Sequence, residues 1–311
     1  MKHEQYKLTL KPGQSIKDIE KMVDEIKCAC WADEVQISGF GRHVYVDIYK
    51  GKMRTDIPYQ IPEQDPKGLT VPIGYDMKGE LITLNMKSDN HTYVLYAGFQ
   101  GTGKSTALNG IIRAVVNYPP EWVRLVLIDL KMGNEFREWF DWPHCWLKAT
   151  DPEKPELKHT LTMLNAEVRK RYKLFEQYRV KDIDGYREKV GPMNYIFLVI
   201  DEYAELSSAA DGEEMQKLLK RTLGIGRAAG LRCILSTLRP VADLINTTIK
   251  ALFPDRIALR VATALESRII LDTNGAEELE EVQGRGILLS GAKYRKIQTM
   301  HYIEGKDYGS M

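Results

Sequence analysis

The chain has 311 residues, of which 43% are hydrophobic and 28% are charged, and this composition is typical of a globular protein. The formal net charge of +1 excludes a strongly basic protein, although a local basic surface is compatible with nucleic-acid binding. No apolar run reaches the roughly 18 residues of a membrane-spanning helix, and the four cysteines lack the spacing of zinc ligands. We therefore expect a cytoplasmic protein with reduced thiols and no membrane segment.

The first 60 residues have the pattern of a small α/β domain. Alternating apolar and polar residues predict a strand at Tyr6–Leu10, and Ser15 is suited to cap a helix that continues to Lys27. One apolar face of that helix is formed by Ile16, Ile19, Met22, Val23 and Ile26. The runs Val35–Ile37 and Val44–Ile48 predict two further strands on either side of a glycine-containing turn.

Residues 61–72 are predicted to form a linker, because four prolines lie between residues 57 and 72. From residue 73 to residue 303, apolar strands alternate with amphipathic helices, and residues 304–311 form a tail. The predicted strands are 92–97, 124–129, 195–201, 232–237 and 256–261, and the predicted helices are 106–117, 155–178, 213–229 and 241–252. This alternation predicts an α/β fold with a mainly parallel sheet and helices on both faces. Ligands of such sheets bind beyond the carboxyl ends of the strands.

Residues 98–105 have the spacing of a nucleotide-binding P-loop and lie between a predicted strand and a predicted helix. The glycines leave backbone N–H groups that point into one concavity, where the positive end of the helix dipole favours a triphosphate. We expect ATP to be bound by Gly98, Phe99, Gln100, Gly101, Thr102, Gly103, Lys104, Ser105 and Thr106. Lys104 is expected to reach the β- and γ-phosphates, and Ser105 is expected to bind Mg²⁺. The alternative is a glycine loop at an ordinary strand–helix turn.

Another apolar strand ends in two adjacent carboxylates, as a Walker-B strand does. Asp201 is expected to bind Mg²⁺ through water, sharing the ion with Ser105. Glu202 is suited to act as the general base that accepts a proton from the attacking water. Together with Lys104 these are the catalytic candidates. The alternative is a buried strand that ends in solvated acids.

Further polar residues end neighbouring strands and are candidates for sensing the γ-phosphate. These residues are Asp129 and Thr237, although Asp129 also fits an ordinary strand end. An ATP hydrolase also needs a positive group near the γ-phosphate, which a neighbouring subunit often supplies. The candidate arginines are Arg227, Arg239, Arg256, Arg260 and Arg268. The sequence does not choose among them, and the alternative for each one is a surface salt bridge.

Five stretches occur in an order that resembles the motor portion of the FtsK/SpoIIIE family, in the FtsK–HerA group of ring-forming DNA translocases. They are Gly74–Asp76 with Gly79, Leu127–Lys131, Arg171–Leu174 with Ile183–Tyr186, Arg227–Leu231 with Ser236–Pro240, and Ile249–Ala251 with Pro254–Ala258 and Ser267–Asp272. The resemblance covers nearly all of residues 73–290. It implies a RecA-like P-loop ATPase core preceded by a small α/β domain. It further implies a homo-hexameric ring with double-stranded DNA in its pore, and ATP sites at subunit junctions that receive arginines from the neighbour.

The sequence departs from the family pattern at Leu238, where the family usually places a glutamine, so this side chain cannot hydrogen-bond to the γ-phosphate. It also shows no membrane anchor and no C-terminal winged-helix domain. We therefore expect either a motor of a plasmid, phage or mobile element, or a piece of a longer protein. The alternative functions are a protein-translocating ATPase of type VII secretion and a helicase-like or coupling protein of plasmid replication or conjugation. Type VII motors usually carry several ATPase modules, whereas this chain has one P-loop.

A ring that repeats a few basic residues around its pore builds a strong positive field without a basic overall sequence. Candidate DNA contacts follow the predicted strand that ends at Asp129 and the long predicted helix. They are Lys131, Arg137, Lys181 and Arg187. Contacts of this kind are made mainly to phosphates and give little sequence preference. The alternative is that these are solvated loop residues.

Overall fold

The computed structural model describes residues 2–61, 63, 65, 68–87, 91–209, 211–291, 293–306 and 308, apart from the side chain of Phe40. The chain divides into two compact units, one of Met1–Arg54 with Tyr75–Glu80 and one of Thr55–Gly74 with Leu81–Met311. The boundary lies after Arg54, whereas the sequence places it near residue 60. Residues 62, 64, 66 and 67 of the predicted linker, and 307 and 309–311 of the predicted tail, lie outside the described residues. Linker and tail therefore stay predictions.

The first unit is built on a three-stranded antiparallel sheet with the order β1-β3-β2. Its elements are β1 (Lys2–Thr9), α1 (Ile16–Glu20), α2 (Val23–Ala29), β2 (Glu34–Phe40) and β3 (His43–Lys50). The predicted single helix from Ser15 to Lys27 is wrong, because the chain turns between α1 and α2 and leaves Met22 49% exposed. The other apolar residues of that face still pack against the core around Val44 and Val46. Helical periodicity thus identified the buried face, but this stretch contains no helix breaker that signals the turn.

The second unit is built on a ten-stranded sheet with the order β5-β4-β13-β12-β11-β6-β10-β9-β7-β8. Its strands are β4 (Thr70–Asp76), β5 (Leu81–Asn85), β6 (Tyr93–Ala97), β7 (Val123–Asp129), β8 (Cys145–Ala149), β9 (Tyr195–Asp201), β10 (Leu231–Thr237), β11 (Asp255–Leu259), β12 (Arg285–Ser290) and β13 (Lys293–Gln298). The run from β11 through β6, β10, β9 and β7 to β8 is parallel, and β12 pairs antiparallel with β11 and β13. The predicted α/β fold with a mainly parallel sheet is confirmed. β4 begins at Thr70, inside the range predicted as linker, where Leu69 and Val71 are buried.

Helices cover this sheet, and every residue of β6, β9 and β10 is buried. The helices are α3 (Lys104–Val115), α4 (Pro155–Tyr178), α5 (Ile183–Lys189), α6 (Tyr203–Ser208), α7 (Gly212–Gly226), α8 (Thr247–Leu252) and α9 (Ala264–Leu271), with a 3-10 turn at Arg137–Trp139. The helix predicted from Val241 begins only at Thr247, because the Asn246 side chain caps the chain there and accepts a hydrogen bond from Ile249 N. None of the helices in the described part of the chain has the length and hydrophobicity that a membrane crossing requires.

The parallel register brings the carboxyl ends of four strands together at one edge of the sheet. Thr237 pairs with Ala97, and Asp129 pairs with Asp201. β10 lies between β6 and β9, so these two pairs of residues are neighbours along the edge of the sheet. The P-loop, which follows Ala97, therefore begins beside the acidic strand ends.

The opposite edge of the sheet is fixed by Arg171, a buried residue of α4 that is only 2% exposed. Its guanidinium Nη1 donates to the carbonyl oxygens of Asn194 at 2.7 Å and Ala229 at 2.9 Å, which precede β9 and β10. Nη2 donates to Asn194 Oδ1 at 2.9 Å, and Nε donates to Glu167 at 3.0 Å. One side chain thus joins the longest helix to the starts of two central strands.

We predict that Arg171→Met lowers the free energy of unfolding by about 3 kcal/mol, because buried acceptors lose their charged donor while the aliphatic stem is kept. Chemical denaturation measures the change. The matched control is Arg169→Met, which changes an exposed arginine of the same helix with one side-chain bond, to Asn165. We expect the control to stay within about 1 kcal/mol of the parent. Equal effects of the two substitutions would contradict the anchoring role of Arg171.

Candidate nucleotide-binding site

Two glycines of the P-loop, Gly98 and Gly103, stand where a Cβ would meet neighbouring atoms. A Cβ at Gly98 would lie 2.8 Å from Thr102 Oγ1 and 2.9 Å from Leu259 Cβ. Gly103 precedes α3 with φ of 92°, in the left-handed region, and a Cβ there would lie 3.0 Å from Gly284 N. Thr102 N and Thr102 Oγ1 both donate to Phe99 O, at 3.2 and 2.6 Å, and close the loop. The loop therefore leads directly into the first turn of α3, whose N–H groups lack intrahelical acceptors and suit an anion.

A buried cation and a buried anion meet where the P-loop faces β9. Lys104 is 3% exposed and Asp201 is fully buried, and Lys104 Nζ donates to Asp201 Oδ1. Lys104 Nζ also donates to Ser236 Oγ at 2.7 Å, and that hydroxyl donates to the same Asp201 oxygen at 2.9 Å. The other carboxylate oxygen, Oδ2, lies 3.1 Å from Lys131 Nζ. Asp201 is thus held between two ammonium groups.

The charges in this group fix each other's protonation states. Burial alone would raise the pKa of Asp201, but the ammonium groups of Lys104 and Lys131 outweigh it and hold that pKa below its usual range. Burial alone would lower the pKa of Lys131, yet the Asp201 carboxylate raises it. Asp201 is therefore a carboxylate and Lys131 an ammonium at neutral pH.

Asp129, a candidate phosphate sensor, holds the turn after β7. Its Oδ1 accepts from Lys131 N at 3.2 Å, and its Oδ2 accepts from the backbone N–H groups of Glu135 at 2.7 Å and Phe136 at 3.0 Å. Burial is the main cause that raises the pKa of this carboxyl above its usual range, although the backbone hydrogen bonds oppose it. The turn after β7 is thereby shaped so that Lys131 reaches Asp201.

Glu202 has its carboxylate bound by the end of β10. Oε1 accepts from Thr237 Oγ1 at 3.0 Å, and Oε2 accepts from Leu238 N at 3.0 Å. Glu202 is 4% exposed, and its backbone lies in the left-handed region with φ of 62°. A carboxylate has about four acceptor positions, so it keeps capacity for a water molecule. The predicted sensor Thr237 thus contacts the predicted base directly.

Two cavities flank the P-loop. The larger, of about 550 Å³, is lined by Phe99–Thr102 and by Arg260, which forms an ion pair with Glu281 at 2.5 Å. The smaller, of about 220 Å³, is lined by Gly103, Thr106 and polar residues that include Gln298 and His301. Between the two cavities, Gly284 N donates to Thr102 O at 2.7 Å, so the turn before β12 is hydrogen-bonded to the P-loop.

The residues present fit a magnesium–nucleotide complex. The described residues contain no group of three or more His, Cys, Asp or Glu side chains that would hold a metal ion alone. Mg²⁺ needs no such group, because it usually takes one or two protein oxygens together with phosphate oxygens and water. Ser105, in the first turn of α3, and Asp201 are oxygen donors of this kind.

The candidate arginines differ in what they contact. Arg256 is held within the chain, since Nη1 donates to Ile270 O at 2.8 Å and to Asp272 Oδ2 at 2.6 Å. Arg268 is exposed and donates to Asn274 Oδ1 at 2.7 Å. Arg227 and Arg239 are also exposed, and Arg239 follows β10 beside the Glu202 contact.

The four candidate DNA contacts follow two different edges of the sheet, and their contact with DNA stays a prediction. Lys131 is engaged with Asp201. The guanidinium of Arg187 lies 4.6 Å from the ring centre of Trp122, at the amino edge of the sheet, and is held by packing there. Arg137 and Lys181 are exposed, but Arg137 follows the carboxyl end of β7 and Lys181 precedes α5 at the amino edge. The seven residues of β7 span roughly 23 Å between these edges.

Sequence patterns missed several residues of the site. For Lys131 the sequence predicts a DNA contact and does not reveal its contact with Asp201, because a lysine after a strand has no motif that identifies its partner. Ser236 was visible at a strand end, yet only the register shows that it meets Lys104. Asn109 links the P-loop helix to the turn after β7, because it donates to Ser105 O and Glu135 O and accepts from Trp139 Nε1 at 2.6 Å. No short-range sequence signal reports such a link.

Comparison with known proteins agrees with this geometry. Residues 60–271 match the FtsK/SpoIIIE family. The chain belongs to this family. It is 35% identical over 244 residues to the DNA translocase FtsK of Helicobacter pylori J99, covering 76% of this chain and 28% of the relative. With the DNA translocase FtsK of Staphylococcus aureus Mu50 it is 33% identical over 304 residues, covering 92% of this chain and 37% of the relative. The chain thus spans well under half the length of these FtsK proteins.

Solved structures share the fold of this FtsK/SpoIIIE chain. The structure of the conjugation coupling protein TcpA, in monomer form with ATPγS, matches this chain with a TM-score of 0.75 at 23% identity. The match covers 99% of this chain and 88% of the TcpA chain. The cytoplasmic domain of the type VII secretion ATPase EccC from Thermomonospora curvata matches with a TM-score of 0.68 at 24% identity. This match covers 80% of this chain and 30% of the EccC chain. The predicted P-loop ATPase fold is confirmed by these likenesses.

We predict that Thr237→Val destabilises the chain by about 1–2 kcal/mol, because the buried Glu202 carboxylate loses a hydroxyl donor while the side-chain shape is kept. Chemical denaturation measures the change. The control is Thr162→Val on α4, an exposed threonine whose hydroxyl donates to Lys158 O. If both substitutions change the free energy of unfolding equally, the Thr237–Glu202 contact is not a stabilising one.

Proposed function

We propose that the chain is an ATP-driven motor that translocates double-stranded DNA, acting in the cytoplasm as a homo-hexameric ring with Mg²⁺ as its metal. The observation that supports this most is the buried contact of Lys104 with Asp201, next to Glu202, in a chain of the FtsK/SpoIIIE family. A P-loop lysine and a Walker-B acid in contact place the phosphate-binding and water-activating groups within reach of one triphosphate.

The residues have separate roles in this proposal. The P-loop N–H groups and Lys104 bind the phosphates, and Ser105 and Asp201 hold the metal, which when bound offsets phosphate charge and orients the triphosphate. Because Lys104 contacts Asp201 in this structure, it exchanges this partner for a phosphate when nucleotide enters. Glu202 accepts a proton from the attacking water, and Thr237 and Leu238 N fix the direction of its carboxylate.

The ring is proposed from family membership, and exposure selects among the arginines. A guanidinium that reaches into a neighbour's site must be accessible. This favours the exposed Arg227, Arg239 and Arg268 over Arg256, whose side chain is 13% exposed and bound to Asp272. Sedimentation of the chain with ATP and DNA tests the ring. A protein that stays monomeric while hydrolysing ATP fully would contradict it.

The function is tested by measuring ATP hydrolysis with and without double-stranded DNA, with Lys104→Ala as the inactive control. We expect DNA to stimulate the wild-type chain. Stimulation by a secretion-signal peptide but not by DNA would favour a type VII secretion motor instead. Displacement of a strand from a forked duplex would favour a helicase-like role in plasmid replication or conjugation.

We predict that Glu202→Gln lowers ATP turnover by about a hundredfold or more, since an amide cannot accept a proton from water, while ATP binding is kept. Single-turnover hydrolysis and equilibrium binding measure the two effects. The amide keeps one oxygen acceptor for Thr237 Oγ1 or Leu238 N and places an NH2 group at the other position, so thermal unfolding checks that the variant is folded. Turnover within about threefold of wild type would exclude Glu202 as the base.

We predict that the double substitution Arg137→Gln with Lys181→Gln lowers DNA stimulation and weakens its dependence on salt, because phosphate contacts are lost. Basal hydrolysis without DNA should stay unchanged. The control is Lys170→Gln with Lys217→Gln, which removes charges that are 70% and 68% exposed and paired within helices. The single substitutions then identify which edge of the sheet faces DNA. If the double variant responds to DNA as the control does, neither residue contacts DNA.

A further inference from the structure

We propose that Lys131 is a second phosphate-binding cation of the nucleotide site and contacts the terminal phosphate of ATP; this inference rests on the proposed ATPase function. Lys131 Nζ lies 3.1 Å from Asp201 Oδ2, and Lys104 Nζ contacts Oδ1 of the same carboxylate. The two ammonium groups therefore approach one anion from different sides. An anion that enters between the P-loop and β9 meets both of them.

The turn that carries Lys131 is built to hold its position. Asp129 binds the backbone N–H groups at both ends of the turn, and Asn134 Nδ2 donates to Lys131 O at 3.2 Å. Gly133 has φ of 71°, and a Cβ there would lie 2.8 Å from Thr150 Cγ2, so the backbone path is restricted. A lysine on such a turn loses little conformational freedom when it binds an anion in the site. This preorganisation raises its affinity for the anion.

Exposure distinguishes the two lysines. Lys104 is 3% exposed at the base of the P-loop, whereas the Lys131 side chain is 28% exposed and lies on the solvent side of Asp201. A P-loop lysine binds the β- and γ-phosphates. The second lysine comes from the turn after β7, the strand next to β9, rather than from the P-loop. It lies beside the Walker-B acids, where the γ-phosphate must be attacked. Lys131 is therefore expected to recognise the phosphate that ADP lacks.

The test is equilibrium binding of ATP and of ADP, without DNA, to the wild-type chain, Lys131→Met, Lys131→Arg and Arg137→Met. Methionine keeps the stem of Lys131 without its charge, and arginine keeps the charge. Arg137→Met is the matched control, because Arg137 lies on the same connection after β7 and its side chain contacts Asn134. Each series is measured with Mg²⁺ and with a chelator, and thermal unfolding confirms that every variant is folded.

We expect Lys131→Met to weaken ATP binding by about tenfold or more and ADP binding by less than about twofold, with and without Mg²⁺. Lys131→Arg should restore most of the ATP affinity, and Arg137→Met should bind both nucleotides as the parent does. Equal weakening for ATP and ADP, or no weakening, overturns the terminal-phosphate contact. A loss of ATP affinity that requires Mg²⁺ also overturns it, because Lys131 would then act only by holding Asp201 for the metal. A wild-type chain that binds neither nucleotide contradicts the proposed function itself and is distinguishable from these results.

Discussion

The contact between Lys104 and Asp201 is the interaction on which the rest of the site depends. Both groups are removed from water, and a buried charge without a partner is strongly unfavourable. Because each ion is the other's partner, the P-loop and the end of β9 must come together for either to be tolerated. Ser236 Oγ donates to the same carboxylate, and Lys131 forms an ion pair with its other oxygen. The contact thus fixes the P-loop beside the end of β9.

This arrangement depends on the sheet. Parallel strands bring their carboxyl ends to one edge, and here the register aligns Asp129 with Asp201 and Thr237 with Ala97. Each strand then contributes a different kind of group: the Asp129 carboxylate that holds a turn, the carboxylates of Asp201 and Glu202, the Thr237 hydroxyl, and the P-loop. The amino edge is closed separately by Arg171, which leaves the carboxyl edge for chemistry.

Much of the fold was predictable because it depends on periodicity and on local motifs. Helix α4 has the predicted bounds, since Pro155 begins it and apolar residues recur at helical spacing. The strands β12 and β13 were not predicted, because half of β13 is Lys293, Arg295 and Lys296, which is unusual for a strand. The P-loop and the acids of β9 were readable as motifs. The positions of Lys131 and Arg187 were not, because a lysine at a strand end and an arginine on a short helix find their partners only through tertiary contacts.

The hydrogen bond from Leu238 N to Glu202 does not depend on the side chain at this position. The donor belongs to the main chain, so every residue except proline supplies it. Replacing Leu238 with another residue that has a backbone N–H therefore leaves this partner of the glutamate in place. Proline is the one substitution at residue 238 that would remove the donor itself.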